Sequence, residues 1–160
     1  MKVQLGTMQT INAAHQIMCE AFKEYGKLEV PSSAITEPIE VLTENFKNGI
    51  ENFAICLIEE GPIASVRFME KTETLYFSRL AVLPAYRGKG IAKYMLQWLE
   101  NYAKQLEKNK MECKVRMSLE GNIQLYQSIG FHLVEEGEVI NPNGYAVRTG
   151  VMKKDFYEAK

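Results

Sequence analysis

Apolar residues at Ile11, Ala14, Met18, Ala21, Phe22 and Tyr25 recur at helical spacing behind Lys2 to Gly6, which alternates like a short strand. This predicts a strand followed by a helix over 8–25, with Thr7 or Thr10 as its N-cap. The stretch GKLEVPSSA reads as a loop carrying Pro31. Thr36 is then placed to cap a second helix with the stripe Ile39, Leu42 and Phe46, ended by Gly49. From 51 to 83 the period shortens. ENFAICLIEE, GPIASVRFMEK and ETLYFSRLAVLP, separated by Gly-Pro or polar turns, predict three antiparallel strands. Residues 88–108 return to a 3.6 period, with Ile91, Met95, Trp98, Leu99, Tyr102 and Leu106 on one face. Met111, Cys113, Val115 and Met117 alternate with polar residues as in a half-buried strand. GNIQLYQSIGF reads as a short helix with Gly130 just past its end. FHLVEEGEVI and YAVRTGVMKKDF flank the turn signal Asn141-Pro142-Asn143-Gly144. The predicted order is β-α-α-β-β-β-α-β-α-β-β. It implies an α/β (α+β) protein with a single mixed, mostly antiparallel sheet of about seven strands and helices on both faces, in one domain spanning 1–160.

Composition narrows the function. With 19 basic against 20 acidic residues in 160, no global field points to nucleic acid or an anionic membrane, so any anion site must be local. Cys19, Cys56 and Cys113 are odd in number, far apart and inside apolar-periodic segments. They read as core thiols in a reducing compartment. No apolar run approaches the roughly 18 residues of a membrane span, and MKVQLGTMQT lacks a signal-peptide core, so the cytosol is the expected location. His15 and His132 have no Cys, Asp or Glu at ligand spacing, so no metal is expected, and no Gly-x-Ser-x-Gly elbow supports hydrolase chemistry.

The candidate chemistry lies in RLAVLPAYRGKGIA, residues 79–92. A strand that ends near Pro84 and restarts as a helix near Gly88 exposes unpaired N–H groups at the positive end of the helix dipole. Gly88 and Gly90 lack a Cβ, so a phosphate oxygen can approach the backbone, while Arg87 and Lys89 supply charge. Taken alone, a G-x-G turn of this kind is as often an ordinary connection. A Walker loop needs Lys followed by Ser or Thr, and here Gly90 follows Lys89. A Rossmann turn needs a third small residue at position 93, which is Lys93.

The combination of Leu-Ala-Val-x-Pro, Arg87-Gly88-Lys89-Gly90-Ile91-Ala92 and, one helix and strand later, Leu125-Tyr126-x-x-x-Gly130-Phe131 resembles the GCN5-related N-acetyltransferase superfamily. Arg87, Gly90 and Ala92 take the three fixed places of its acyl-CoA motif, and the element order agrees from residue 1 to about 156. The resemblance implies the acyl-CoA N-acyltransferase fold and acetyl-CoA as acyl donor. It implies that Leu80, Ala81 and Val82 hold the pantetheine arm through the backbone. The N–H groups from Arg87 to Ala92 would hold the pyrophosphate, through Arg87, Gly88, Lys89, Gly90, Ile91 and Ala92. A splay between the strands at 75–83 and 111–118 would admit the cofactor.

The same resemblance makes Tyr126 the general acid for the departing thiolate. A phenol of pKa about 10 can protonate a thiolate whose conjugate acid lies near 8.5. The alternative is an amphipathic Tyr packed under its helix. Asn122 either contacts CoA or caps that helix. Relatives often carry an acid just before Leu-Ala-Val, where this chain has Ser78 and Arg79, and no base is named; Glu70 and Glu73 read as solvated strand-end groups. Arg67 and Arg79, cations inside strands, either pair with glutamates across strands or bind an acceptor carboxylate, with pairing favoured for Arg67.

Acceptor choice is expected to rest on 20–40 and 135–148, with Tyr25, Glu29, Arg79 and Tyr145 as candidates. The expected activity is acetyl transfer to a primary amine of a small molecule or peptide in a ternary complex. A homodimer is the assembly the resemblance suggests, with no nucleic-acid or membrane partner. The alternative is a non-catalytic acetyl-CoA sensor or interaction module.

Overall fold

The computed structural model describes residues 1–23, 33–142 and 144–157. Its elements are β1 (Lys2–Leu5), α1 (Ile11–Phe22), α2 (Ile39–Lys47), β2 (Asn52–Ile58), β3 (Gly61–Glu70), β4 (Thr74–Val82), α3 (Ile91–Gln105), β5 (Lys110–Arg116), α4 (Glu120–Ser128), β6 (His132–Ile140) and β7 (Ala146–Asp155). Short 3₁₀ turns occupy Ser33–Thr36 and Pro84–Tyr86. The seven strands form one mixed sheet in the order β1-β2-β3-β4-β5-β7-β6. β4 and β5 pair in parallel, Thr74 to Tyr76 against Lys110 to Glu112. The element order and the mixed sheet are those expected from the periodicity.

Three helix starts differ from expectation. Helix α1 begins at Ile11 rather than 8, because a Thr7–Thr10 turn precedes it: the Thr10 N–H donates to Thr7 O at 3.0 Å, and the Thr7 N–H donates to Thr10 Oγ1 at 2.9 Å. The Thr10 hydroxyl is thus spent on the turn, while its carbonyl accepts the first helical bond from Ala14. Helix α2 starts at Ile39 with Pro38 at the N-cap, and Thr36 closes the preceding 3₁₀ turn instead of capping. A residue before proline is pushed out of the α region, which leaves Glu37 between two helical segments. Helix α3 starts at Ile91 because Gly88 and Gly90 are left-handed, with φ of 77° and 79°.

The chain forms two compact units, Met1–Met69 with Phe77–Leu99, and Glu70–Tyr76 with Glu100–Lys160. In the first, Phe53 to Cys56 of β2 and Ile63 to Phe68 of β3 are buried on both faces. Ile11 and Ala14 of α1 and Leu42 of α2 pack with Phe53 and Ile55, and Ile17 and Ala21 pack with Ala81 of β4. The Phe53 ring lies where a Cβ on Gly6 would stand, 2.1 Å away, so only glycine lets β1 close over it. α2 ends in the expected manner: Gly49 (φ 70°) donates to Phe46 O and Ile50 to Asn45 O.

In the second unit, β7 pairs with β5 and β6, and Met111, Cys113, Val115 and Met152 are buried. Gly150 permits a close approach, since a Cβ there would meet Leu133 Cδ1 at 2.5 Å. β6 is the sheet edge and is exposed along its whole length. The hairpin turn closes with the Asn141 N–H on Tyr145 O at 2.8 Å and the Tyr145 N–H on Asn141 Oδ1 at 3.0 Å.

Candidate functional site

The turn between β4 and α3 presents main-chain donors. The Tyr94 N–H donates to Gly90 O at 3.0 Å, which is the first bond of α3. The N–H groups of Gly90, Ile91, Ala92 and Lys93 therefore have no i−4 acceptor in the helix and carry its positive end. A Cβ built on Gly88 or Gly90 meets nothing within 4 Å, so the space above this backbone is open to a ligand oxygen. These residues fit an acyl-CoA pyrophosphate: a donor set without side-chain obstruction, flanked by cations.

The cations are partly engaged. Arg87 donates through Nη2 to Ala21 O at 2.6 Å, at the C-terminal turn of α1 where carbonyls lack helical donors. Lys89 Nζ lies 5.5 Å from the centre of the Tyr86 ring.

Upstream, the Leu83 N–H donates to Ile63 O of β3 at 2.9 Å. Alternation along an extended strand then turns the N–H groups of Leu80 and Val82 to the edge away from β3. Ala81 is buried, and Leu80 and Val82 are half-buried. Just before them Arg79 takes a φ of 53°, left-handed backbone in the middle of a strand.

Arg79 belongs to a charged cluster that sequence reasoning did not assemble. Its Nη2 donates to Glu37 Oε2 at 3.1 Å, and Glu37 Oε1 accepts from Arg67 Nη1. Arg67 Nη2 also lies 3.3 Å from Met18 Sδ, and Arg67 Nη1 is 3.9 Å from Glu51 Oε1. His15 Nε2 is 2.8 Å from the Glu37 carbonyl oxygen. Arg67 is paired, as favoured, but its carboxylates come from the turn before α2 and from the residue before β2, not from a strand across the ladder. Burial is the largest influence on Glu51 and pushes its carboxyl up, with Arg67 pulling the other way. Glu37 had no sequence signal of its own; two arginines inside strands were the only sign that a carboxylate must reach them.

Beside this cluster a cleft of about 600 Å³ runs along α1, walled by His15, Cys19, Glu20 and Lys23 with Pro62 and Leu83. Cys19 is half-buried there, unlike the buried Cys56 and Cys113, so only the latter two are core thiols. Burial pushes all three thiols up, Cys113 to about 12.

In the second unit, Tyr126 is buried at 9% exposure and its ring packs on Phe131 with centroids 5.9 Å apart. The Phe131 N–H donates to Tyr126 O at 3.0 Å and the Gly130 N–H to Gln127 O at 3.1 Å, with Gly130 at φ 102°. This double bond pattern with an aromatic contact across it is a Schellman helix stop. It gives the LYxxxGF segment a structural reason independent of catalysis. Leu119 occupies the N-cap of α4, so Asn122 lies inside the helix and does not cap it. Tyr145 is half exposed in the hairpin turn. Glu70 is exposed and pairs with Lys108, and Glu73 is exposed. Tyr25 and Glu29 lie outside the described residues. Among the described residues no group of three His, Cys, Asp or Glu is arranged to hold a metal, and no helix is long and apolar enough to cross a membrane.

The sequence model of the acetyltransferase (GNAT) family matches residues 13–131, which include the glycine turn, the strand before it and the Tyr126 helix. The chain belongs to this family. No curated protein matches it by sequence. Among solved structures, the Salmonella typhimurium protein yncA with its cofactor acetyl-CoA superposes with a TM-score of 0.76 at 18% identity, covering 100% of this chain and 96% of that one. The ribosomal-protein-S18-alanine N-acetyltransferase of Escherichia coli gives 0.74 at 16% identity, over 99% and 96% of the two chains. A variant of the spermidine N-acetyltransferase of Vibrio cholerae gives 0.74 at 15%, over 98% and 95%. At these identities the likeness is one of fold.

Proposed function

We propose that the chain transfers an acetyl group from acetyl-CoA to a primary amine of a small molecule or peptide, directly, with both substrates bound. The observation that carries this reading is the run of N–H groups at Gly90 to Lys93, opened by two left-handed glycines, immediately after a strand edge with its own outward N–H groups. Leu80, Ala81 and Val82 hold the pantetheine arm, and Arg87 to Ala92 hold the pyrophosphate. The Val82 N–H polarises the thioester carbonyl; a preorganised donor of this kind contributes about 3–4 kcal/mol.

The amine nitrogen attacks that carbonyl carbon, the C–S bond breaks, and Tyr126 gives its phenolic proton to the departing thiolate. The assignment of Tyr126 rests on the LYxxxGF motif and on the chemistry of a phenol, and Asn122 is the residue of the same helix assigned to CoA. Deprotonation of the incoming ammonium is left to water, since Ser78 and Arg79 stand where relatives often keep an acid. The same pair of residues favours a second reading, an acetyl-CoA sensor without turnover.

Calorimetry with acetyl-CoA tests the cradle, and absence of heat at high ligand concentration overturns both readings. A thiol-release assay over a panel of amines separates enzyme from sensor. Tyr126→Phe, which keeps the ring contact with Phe131, is expected to lower kcat on the order of 10²-fold. Unchanged turnover removes Tyr126 from the mechanism.

A further inference from the structure

Arg79 stands in left-handed backbone inside β4, at φ 53°. A bulky residue adopts that conformation only where its surroundings impose it, and such positions gather at ligand clamps. The side chain carried by this residue ends a graded chain of charges. Arg67 and Glu51 have side chains 7% exposed, Glu37 11% and Arg79 28%. The deepest cation holds one oxygen of Glu37, and the other oxygen of Glu37 holds Arg79 at 3.1 Å. A buried pair thus orients a shallower guanidinium, and it does so on the residue directly before Leu80, so that the guanidinium and the outward N–H groups of Leu80 and Val82 come from one short stretch of chain.

Resting on the acetyl-transfer reading above, we propose that Arg79 recognises a carboxylate on the acceptor, so that the amine acetylated belongs to an α-amino acid or a similar small zwitterion. A guanidinium offers a planar fork of donors that matches a carboxylate, which a lysine ammonium does not. Glu37, with both oxygens accepting from guanidiniums, is the holder of Arg79 rather than a base. The cluster contains two cations, Arg67 and Arg79, and two carboxylates, Glu37 and Glu51. The source of Glu37 supports the assignment: it comes from the turn before α2, within the segment expected to govern acceptor choice.

The test compares matched acceptors with acetyl-CoA in the thiol-release assay: an amino acid, its amide and its decarboxylated amine, for several side chains. The carboxylate member is expected to lead by about 10- to 100-fold in kcat/KM, the size of one charged hydrogen-bonded contact. Arg79→Gln is expected to bring the ratio near unity. Arg79→Lys, which keeps the charge without the fork, should retain part of it, and Glu37→Gln should lower it by loosening Arg79. Equal turnover of all three members, preference for the two without a carboxylate, or a ratio that survives Arg79→Gln overturns the inference. Acetyl-CoA calorimetry accompanies every variant. Absence of binding by the unaltered protein, or binding with silence across the whole panel, sinks the acetyl-transfer reading and this inference with it; binding and turnover without a carboxylate preference sinks only this inference.

Discussion

The glycine turn and the Glu37 cluster lie in the same unit of the chain and are built in opposite ways. The turn is main chain: two left-handed glycines and the first N–H groups of α3, exposed, with its cations partly engaged elsewhere. The cluster is side chain: four charged groups, three of them nearly buried, from sequence positions 37, 51, 67 and 79. A backbone site depends on conformation and tolerates changes in the side chains around it. A buried side-chain site depends on each partner being present. Stability should therefore be concentrated in the cluster, and ligand affinity in the turn.

The largest expected effect tests the cluster. Arg67→Met leaves Glu37 and Glu51 without their shared cation and is expected to cost about 3–5 kcal/mol in denaturant unfolding, as for any broken buried pair. A loss below about 1 kcal/mol would place Arg67 among surface pairs and erase the contrast. Next, Gly90→Val forces a β-branched residue into φ 79° and is expected to weaken acetyl-CoA binding on the order of 100-fold by calorimetry, with a stability loss of about 1–2 kcal/mol. Lys89→Ala at the neighbouring position should weaken binding by less than about 5-fold, and the difference should shrink as salt is raised. An effect of Lys89→Ala as large as that of Gly90→Val would mean that the turn binds by charge, not by backbone.

The smallest effect has a pH signature. Burial raises the Glu51 carboxyl in the folded chain, so the stability tied to its protonated form is fully present below the ordinary carboxylate range and is lost as pH rises through the raised value. Glu51→Gln does not titrate. Its unfolding free energy relative to the unaltered protein should climb as pH rises from the ordinary carboxylate range through the raised value. A difference that falls with pH would show that the pairing with Arg67 outweighs burial.

What was legible beforehand follows the same division. Strand and helix periods, the Gly49 and Gly130 helix ends and the glycine turn are local, written within a few residues of one another, and the structure has them. Helix starts were read less well. Thr10 does stand at the N-cap of α1, but its hydroxyl serves the preceding turn, and at α2 Pro38 takes the position expected for Thr36. The cluster was half legible: Arg67 and Arg79 were noticeable as cations inside strands, whereas Glu37 looked like any glutamate before a proline. Nothing within a few residues of position 37 carries information about positions 67 and 79. Only the packing of α1 and α2 on the strands brings the three together.

The Schellman stop at the end of α4 has a consequence for how chains of this kind are sorted. Gly130 and Phe131 are needed to end a helix, and the ring of Tyr126 is needed to cover that end. A descendant that had abandoned catalysis would still be under pressure to keep the segment. In a survey of sequences, the motif as a whole therefore reports ancestry and a way of ending a helix, and its presence alone does not report activity.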